Sequence, residues 1–127
     1  MDDPELVKFA QRYADAWSSQ DPEKVAAFYA QGGLISINGA PAVAIVEVAR
    51  GFMRDFPDII VTFDKLIRAP AGAEFHWTFT GTNSGPGGTQ SRVRISGYEV
   101  WQMDDNGLIT KSEGNYDATE YERQLRG

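Results

Sequence analysis

The chain of 127 residues contains no cysteine and a single histidine. The absence of cysteine excludes disulfide bonds and thiolate chemistry. The histidine, His76, alternates with Phe75 and Trp77, so its side chain is predicted to point away from the apolar face, toward solvent or a partner subunit. No group of His, Asp and Glu residues has the spacing of metal ligands, and we therefore expect neither a metal nor a cofactor.

Positive charge is also scarce, because 12 Lys and Arg residues face 18 Asp and Glu residues and give a net charge of −6. An acidic domain repels phosphate backbones, which argues against nucleic acid as a partner. No apolar run approaches the roughly 20 residues of a membrane-spanning helix, and no secretory segment is visible at the acidic N-terminus. We therefore expect a cytoplasmic protein that binds no membrane.

The length is sufficient for one compact domain, which we expect to span residues 1–127. Three amphipathic helices are predicted in the first half. The first begins with Asp3 as N-cap and the second with Asp21, each followed by proline. The second helix is predicted to continue to Gly32, and the third ends before Pro57. Between these two helices, residues 34–37 are predicted to form a short strand.

The period of the apolar residues changes to two after the third helix. Four long strands are predicted, followed by a short helix over residues 118–125, and the strands cover residues 59–68, 73–82, 92–103 and 108–117. Helices first and antiparallel strands afterwards indicate an α+β domain. A meander of four long strands is predicted to form a curved antiparallel sheet, with the helices on its concave side and a pocket between them.

The third long strand carries a carboxylate on its apolar face. Alternation places six residues on that face, namely Val93, Ile95, Gly97, Glu99, Trp101 and Met103. An ionised carboxylate is poorly solvated there, so the pKa of Glu99 is predicted to rise, and such groups are often functional. Two interpretations are open: Glu99 serves a ligand or a reaction, or it is held by tyrosine or backbone donors without a chemical role.

A tyrosine of the first helix is the candidate partner of this acid. Tyr13 lies on the apolar face one turn before Trp17, and a buried phenol needs a hydrogen-bond partner. The alternative is a core tyrosine whose hydroxyl reaches the rim.

On the last strand, periodicity does not decide whether the side with Ser112 and Tyr116 or the side with Asp117 faces inward. Asp117 is also placed to cap the terminal helix.

Four segments carry a resemblance to a known family: residues 12–17 (RYADAW), 21–25 (DPEKV), 75–82 (FHWTFTGT) and 98–109 (YEVWQMDDNGLI). Together they resemble the nuclear-transport-factor-2-like superfamily, and in particular its SnoaL-like polyketide-cyclase branch. The resemblance covers nearly the whole chain. It implies a cone-shaped sheet packed against three N-terminal helices, a deep apolar pocket, and a homodimer formed through the convex face of the sheet.

The resemblance also implies the residues of the site. Ketosteroid isomerases of this fold use a first-helix tyrosine and a carboxyl on the long strand, and Tyr13 and Glu99 occupy similar positions as the predicted catalytic residues. The base of those isomerases falls near Ile37 or Asn38, and the last-strand Asp of the cyclases falls at Gly114, so neither acid is present. The predicted ligand-binding residues are Trp17, Phe28, Asn38, Phe52, Phe75, Trp77, Phe79, Trp101, Ser112 and Tyr116.

Three functions remain open from the sequence. The first is an enzyme that cyclises, isomerises or dehydrates a small, largely apolar carbonyl compound, with Glu99 as general acid or base and Tyr13 as donor to the carbonyl. The second is a domain of the same fold that binds a small apolar molecule, or supports dimerisation, without catalysis. The third is a protein-interaction domain whose side chains fill the cavity entirely.

Overall fold

The computed structural model describes residues 2–127, which form four helices and one six-stranded, curved and unclosed sheet. The helices are α1 (Asp3–Trp17), α2 (Pro22–Ala26), α3 (Ile45–Asp55) and α4 (Ala118–Arg126). The strands are β1 (Tyr29–Ile37), β2 (Val43–Ala44), β3 (Ile60–Ala69), β4 (Gly72–Thr82), β5 (Arg92–Met103) and β6 (Ile109–Tyr116). The predicted α+β class, with helices packed on a curved sheet, is confirmed.

Aspartate side chains cap three of these helices. Asp21 caps α2, and Asp117 caps α4 by accepting a hydrogen bond from the backbone N–H of Glu120 at 3.0 Å. The cap of α1 is Asp2, so the prediction of Asp3 was wrong by one residue. The first backbone N–H groups of a helix have no intrahelical partner, and a proline is accepted anywhere among them. The proline therefore could not decide which of the two aspartates is the cap.

The second helix ends at Ala26, and the prediction that it continues to Gly32 was wrong. The chain from Tyr29 onward belongs instead to β1, which pairs with β6. Its register shifts between Tyr29 and Leu34, and Gly32 lies in this irregular stretch with a φ of 75°, which favours glycine. Pairing with a strand distant in sequence outweighs the local helical pattern here.

The strand order of the sheet is β2-β1-β6-β5-β4-β3. Strands β3 to β6 form the predicted antiparallel meander. Strand β1 adds to β6 in parallel, and β2 pairs with β1 in antiparallel orientation, so the sheet is mixed. A parallel pair needs a long crossover connection. Between β1 and β6 the chain forms β2, α3 and the strands β3 to β5. The sequence contained no local signal for this pairing.

The core lies between the concave face of the sheet and the helices α1 and α3. Alternation along β5 is as predicted, since Val93, Ile95, Glu99 and Trp101 are all buried. Helix α1 contributes its predicted apolar face, whose buried members include Leu6, Ala10, Tyr13 and Trp17. No helix within residues 2–127 is long and apolar enough to cross a membrane.

Helix α4 covers the end of β5 that extends beyond β6. The last residue of β6 in this pairing is Tyr116, opposite Gly97, so the preceding part of β5 has no β6 partner. The side-chain amide of Gln124 takes that place, because it accepts from the backbone N–H of Arg94 at 2.7 Å and donates to its carbonyl at 2.9 Å. This pair of bonds fixes α4 over the concave side of the domain.

Candidate functional site

Glu99 lies at the centre of the concave face, opposite Gly114 of β6 and Phe75 of β4. Its side chain is 6% exposed. Three donors converge on its Oε1 atom: Ser112 Oγ at 2.7 Å, Tyr13 Oη at 2.9 Å and Trp101 Nε1 at 3.0 Å. The contact between Tyr13 and Glu99 that the sequence suggested is therefore present. None of these three bonds uses Oε2, the second oxygen of the carboxyl.

A second tyrosine extends this network. The hydroxyls of Tyr13 and Tyr29 are 2.8 Å apart. Because Tyr13 donates its proton to Glu99, Tyr29 must be the donor to Tyr13, and the direction runs from Tyr29 through Tyr13 to Glu99. Sequence reasoning missed Tyr29, since it assigned this residue to the second helix. The only signal was its aromatic side chain directly before a β-type run.

Burial and hydrogen bonding act on the carboxyl in opposite directions. Burial raises the pKa of Glu99 above its ordinary value, and the donors Ser112, Trp101 and Tyr13 offset part of that increase by stabilising the anion. Burial, together with the negative charge of Glu99, raises the pKa of Tyr13 and Tyr29 well above their usual range. Both phenols therefore stay protonated at neutral pH and remain donors.

The side chain of Glu99 forms part of the wall of a cavity of about 60 Å³. The other lining residues are apolar, aromatic or glycine: Trp17, Ile35, Ile37, Val48, Phe52, Val61, Phe75, Trp77, Phe79, Ile95, Gly114, Tyr116 and Tyr121. Among the described residues that line it, Glu99 carries the only carboxyl group. Since a cavity that admits benzene is about 150 Å³, a ligand of five or six heavy atoms fits here only when side chains of the wall move outward.

The predicted site residues fall into three groups. Seven line the cavity: Glu99, Trp17, Phe52, Phe75, Trp77, Phe79 and Tyr116. Three others, Tyr13, Trp101 and Ser112, lie behind Glu99 and donate to it, outside the lining. The hydroxyl of Tyr13 is thus engaged with the carboxyl, whereas the sequence placed it on a substrate carbonyl. The last-strand side with Ser112 and Tyr116 faces inward, as the resemblance implied.

The remaining two predicted ligand-binding residues, Phe28 and Asn38, lie outside the lining of this cavity. Phe28 packs edge-to-face against Phe9 and Tyr13, with ring centroids 5.1 and 5.6 Å apart. Asn38 is exposed just after β1 with a φ of 52°, and its Oδ1 accepts from the backbone N–H of Tyr116 at 3.0 Å. Both residues therefore serve the packing of the domain.

Trp101 anchors the aromatic layer behind the carboxyl. Its ring stacks on Phe75 with centroids 5.1 Å apart, and it meets Tyr13 edge-to-face at 5.2 Å.

The cavity lining includes one aromatic residue that the sequence did not predict, Tyr121 of α4, whose ring centroid lies 5.4 Å from that of Tyr116. The available signal was the pair of apolar residues Tyr121 and Leu125, four positions apart on the terminal helix.

Two indole groups of the cavity wall have no hydrogen-bond partner. The Nε1 atoms of Trp17 and Trp77 are both buried and unpaired. Trp17 lies beside the hydroxyl of Tyr13 and contributes to lowering its pKa, but does not reach hydrogen-bond geometry. A buried donor without an acceptor costs about 1–3 kcal/mol. Among the described residues, these two indole groups are the buried side-chain polar groups that lack a partner.

The cavity wall has room for a side chain at Gly114, which lies beside Glu99 on the adjacent strand. A Cβ added there would lie 3.7 Å from its nearest neighbour, an ordinary contact, so the position has room for a side chain. The cavity lining in the described chain contains no arginine and no second acid. Among residues 2–127, no group of three or more His, Asp or Glu side chains is arranged to hold a metal ion. Glu99 is thus the acid–base group that this cavity offers.

A family model for the SnoaL-like domain matches residues 10–112. This range includes Glu99 and the residues that hydrogen-bond around it, namely Tyr13, Tyr29, Trp101 and Ser112. The chain belongs to the SnoaL-like family. A comparison with curated proteins gives no sequence match. In this SnoaL-like protein, Tyr13 on α1 and Glu99 on β5 both lie within the matched residues.

Solved structures support the same fold. A protein from Jannaschia sp. CCS1 assigned as a SnoaL-like polyketide cyclase superposes with a TM-score of 0.83 at 14% identity, over 98% of this chain and 93% of that one. A protein of ketosteroid isomerase-like fold from Catenulispora acidiphila, in complex with trimethylamine, superposes with a TM-score of 0.78 at 16% identity, over 96% of this chain and 92% of that one. The epoxide hydrolase/cyclase-like enzyme SalBIII, from pyran-ring formation in salinomycin, superposes with a TM-score of 0.78 at 14% identity, over 94% of this chain and 95% of that one. At these identities the likeness shows the fold.

Proposed function

We propose that this SnoaL-like protein binds a small, largely apolar carbonyl compound in its aromatic cavity and moves a proton on that compound with Glu99. The observation that carries the proposal is the hydrogen bonding of this single buried acid. Three donors hold Oε1, none of these bonds uses Oε2, and Glu99 is the only carboxyl among the otherwise apolar or aromatic described residues that line the cavity. Such an arrangement orients one carboxyl oxygen and excludes water from it.

The chemistry follows from the environment of the carboxyl. With its pKa raised by burial, Glu99 is a stronger base than an exposed glutamate once ionised, and its protonated form persists to higher pH. Oε2 takes a proton from the carbon next to the carbonyl and returns it at the same or another position. Tyr13, Trp101 and Ser112 act as positioning residues that hold Oε1. Proton removal of this kind begins both an isomerisation and an aldol-type ring closure.

The direct test is proton exchange in small ketones dissolved in D2O, followed by NMR with cyclopentanone and 2-butanone as probes. Wild-type protein is expected to accelerate deuterium uptake next to the carbonyl. Glu99→Gln keeps the shape of the side chain but removes the base, and general-base contributions are typically 10²–10⁴-fold, so at least a hundredfold loss of exchange rate is expected.

The matched control for this test is Glu113→Gln. Glu113 lies on the neighbouring strand β6 with its carboxylate on the outer side, next to Lys111 at 3.7 Å. Its exchange rate should equal that of the wild type. If Glu99→Gln exchanges as fast as the wild type while still binding the ketone, Glu99 is not the base.

A second candidate function is ligand binding without catalysis. The observation that favours it is the absence of a second carboxylate and of any histidine, lysine or arginine from the described cavity wall, since the related acid–base chemistry commonly pairs the base with a second charged or acidic group. In that case cyclopentanone binds saturably to the wild type and to Glu99→Gln, and neither protein exchanges protons above the buffer rate.

We also propose that the convex face of the sheet forms a homodimer. Four large apolar side chains are exposed on that face, at Leu34, Ile60, Ile67 and Tyr98. Exposed apolar groups on one face favour association. The stacked pair of His76 and Tyr98, with ring centroids 5.3 Å apart, adds a flat patch at the centre of this face.

Light scattering at micromolar concentration is expected to give the mass of a dimer. Ile67→Asp should shift it to the monomer mass, because a carboxylate in the interface loses its hydration without a partner. Val43→Asp is the control, since Val43 is equally exposed but pairs with Ile35, whose side faces the core. A monomer mass for the wild type would contradict the proposal.

A further inference from the structure

We infer that the indole N–H groups of Trp17 and Trp77, and not the hydroxyl of Tyr13, hold the carbonyl oxygen of the ligand. The inference rests on the proposed function, because it names the donors for the carbonyl compound on which Glu99 acts. Its starting point is that both Nε1 atoms are buried without an acceptor while both side chains line the same cavity as Glu99.

Unpartnered buried donors are rare in folded proteins and need an explanation. Trp17 is 7% exposed, and the Nε1 atoms of Trp17 and Trp77 are themselves buried. Two such donors in one small cavity, facing an apolar wall that offers no acceptor besides Glu99 and two tyrosine hydroxyls, indicate a ligand that brings the missing acceptor. The free energy that the empty site loses on these groups is recovered when that acceptor binds.

The third tryptophan shows the contrast within the same chain. Trp101 Nε1 donates to Glu99 Oε1 at 3.0 Å, and its side chain lies outside the cavity lining. The indole that has no access to a ligand is thus satisfied by the protein, and the two that line the cavity are not. A general excess of unpaired indole groups therefore does not account for the pattern.

Tyr13 has no proton left to donate to a ligand carbonyl. Its proton is donated to Glu99 at 2.9 Å, and its oxygen receives the proton of Tyr29 at 2.8 Å. Its hydroxyl also lies outside the cavity wall. A ligand carbonyl would have to break the bond that orients Glu99 in order to reach this hydroxyl, whereas the indole N–H groups are free to donate.

The chemistry of these donors restricts the ligand class. An indole N–H only donates, so the group that it receives must accept. A carbonyl oxygen accepts two hydrogen bonds through its two lone pairs, which matches two donors. The rest of the ligand meets aromatic rings, among them Phe52 and Phe79, and must be apolar. The structure therefore points to a small ketone, aldehyde or ester, with its polar atom directed at the indole groups.

The test uses the indole signals in proton–nitrogen NMR spectra of the full chain. The sequence contains three tryptophans, so three indole signals are expected, each assigned by its loss in Trp17→Phe, Trp77→Phe or Trp101→Phe. Titration with cyclopentanone is expected to move the Trp17 and Trp77 indole protons downfield. Methylenecyclopentane, which has the same shape without the acceptor, should leave them at their original shifts or move them upfield.

The affinities of the two probes supply a second measurement. In the wild type, cyclopentanone should bind more tightly than methylenecyclopentane, and this preference should fall two- to tenfold in Trp17→Phe and in Trp77→Phe, the range of one net hydrogen bond. Glu113→Gln, on the outer side of the sheet, is the control and should keep the wild-type preference. An unchanged preference in both cavity variants would overturn the inference, as would the absence of saturable ketone binding.

This outcome is separable from the proton-exchange test. Ketone binding with shifted indole signals but no deuterium uptake would support Trp17 and Trp77 as donors to the carbonyl and would contradict the catalytic role of Glu99. Deuterium uptake that depends on Glu99, with unshifted indole signals, would retain the catalysis and overturn the role of Trp17 and Trp77.

Discussion

Replacement of Trp101 by alanine is expected to lower the free energy of unfolding by about 3–5 kcal/mol, the range for removing a large aromatic side chain from a packed core. Trp101 is fully buried. It stacks on Phe75, meets Tyr13 edge-to-face, and donates to Glu99. The variant therefore loses apolar contacts and also leaves a buried carboxyl with one donor fewer. Urea denaturation at neutral pH measures the effect through the midpoint at constant slope.

The control for this prediction is Trp101→Phe, which keeps an aromatic ring in the core but removes the N–H group. Hydrogen bonds to charged groups contribute about 1.5–3 kcal/mol, so an intermediate loss is expected. A loss below about 1 kcal/mol for the alanine variant would mean that Trp101 does not hold this layer together. An equal loss in both variants would assign the whole effect to the hydrogen bond with Glu99.

The stability of the protein is expected to fall as the pH rises from the ordinary pKa of a glutamate through the raised pKa of Glu99. Burial raises this pKa in the folded state, so the folded protein keeps a proton that the unfolded chain has released. The stabilisation is fully present below the unfolded pKa and is lost as the pH passes the folded pKa. Each pKa unit between the two states corresponds to about 1.4 kcal/mol.

Denaturation of the wild type and Glu99→Gln over a pH series isolates this contribution, because the variant has no proton to release at position 99. The difference between the two curves should change in favour of the variant across that pH range and then stay constant. Glu113→Gln, which alters an exposed glutamate on the outer side, should run parallel to the wild type. Parallel curves for Glu99→Gln and the wild type would contradict a raised pKa.

Much of the fold was predictable because its signals are local. The strand over residues 92–103 has the bounds of β5, and its alternation correctly buried Glu99 between Gly97 and Trp101. The apolar face of the first helix likewise placed Tyr13 and Trp17 in the core. These features depend on periods of two and of about four residues, which a single segment displays by itself.

The failures concern residues whose role is set by distant parts of the chain. Tyr29 was assigned to a helix, but it begins a strand that pairs in parallel with β6. Asn38 and Phe28 remain predicted ligand-binding residues, but they lie outside the lining of the Glu99 cavity: the first bonds to the backbone of Tyr116 and the second packs on Phe9. No short window contains the partner that decides each of these cases, so local propensity had no access to them.

The sequence by itself determined that this protein has a carboxylate on the apolar side of a long strand, together with aromatic residues and a first-helix tyrosine able to reach it. Only the tertiary structure decided how these groups pair. It joined Tyr13 and Ser112 to the same oxygen of Glu99 and left the indole groups of Trp17 and Trp77 without acceptors. The physical reason is that side-chain periodicity fixes which face a residue occupies, whereas a hydrogen bond also requires atoms from distant segments to meet within about 3 Å.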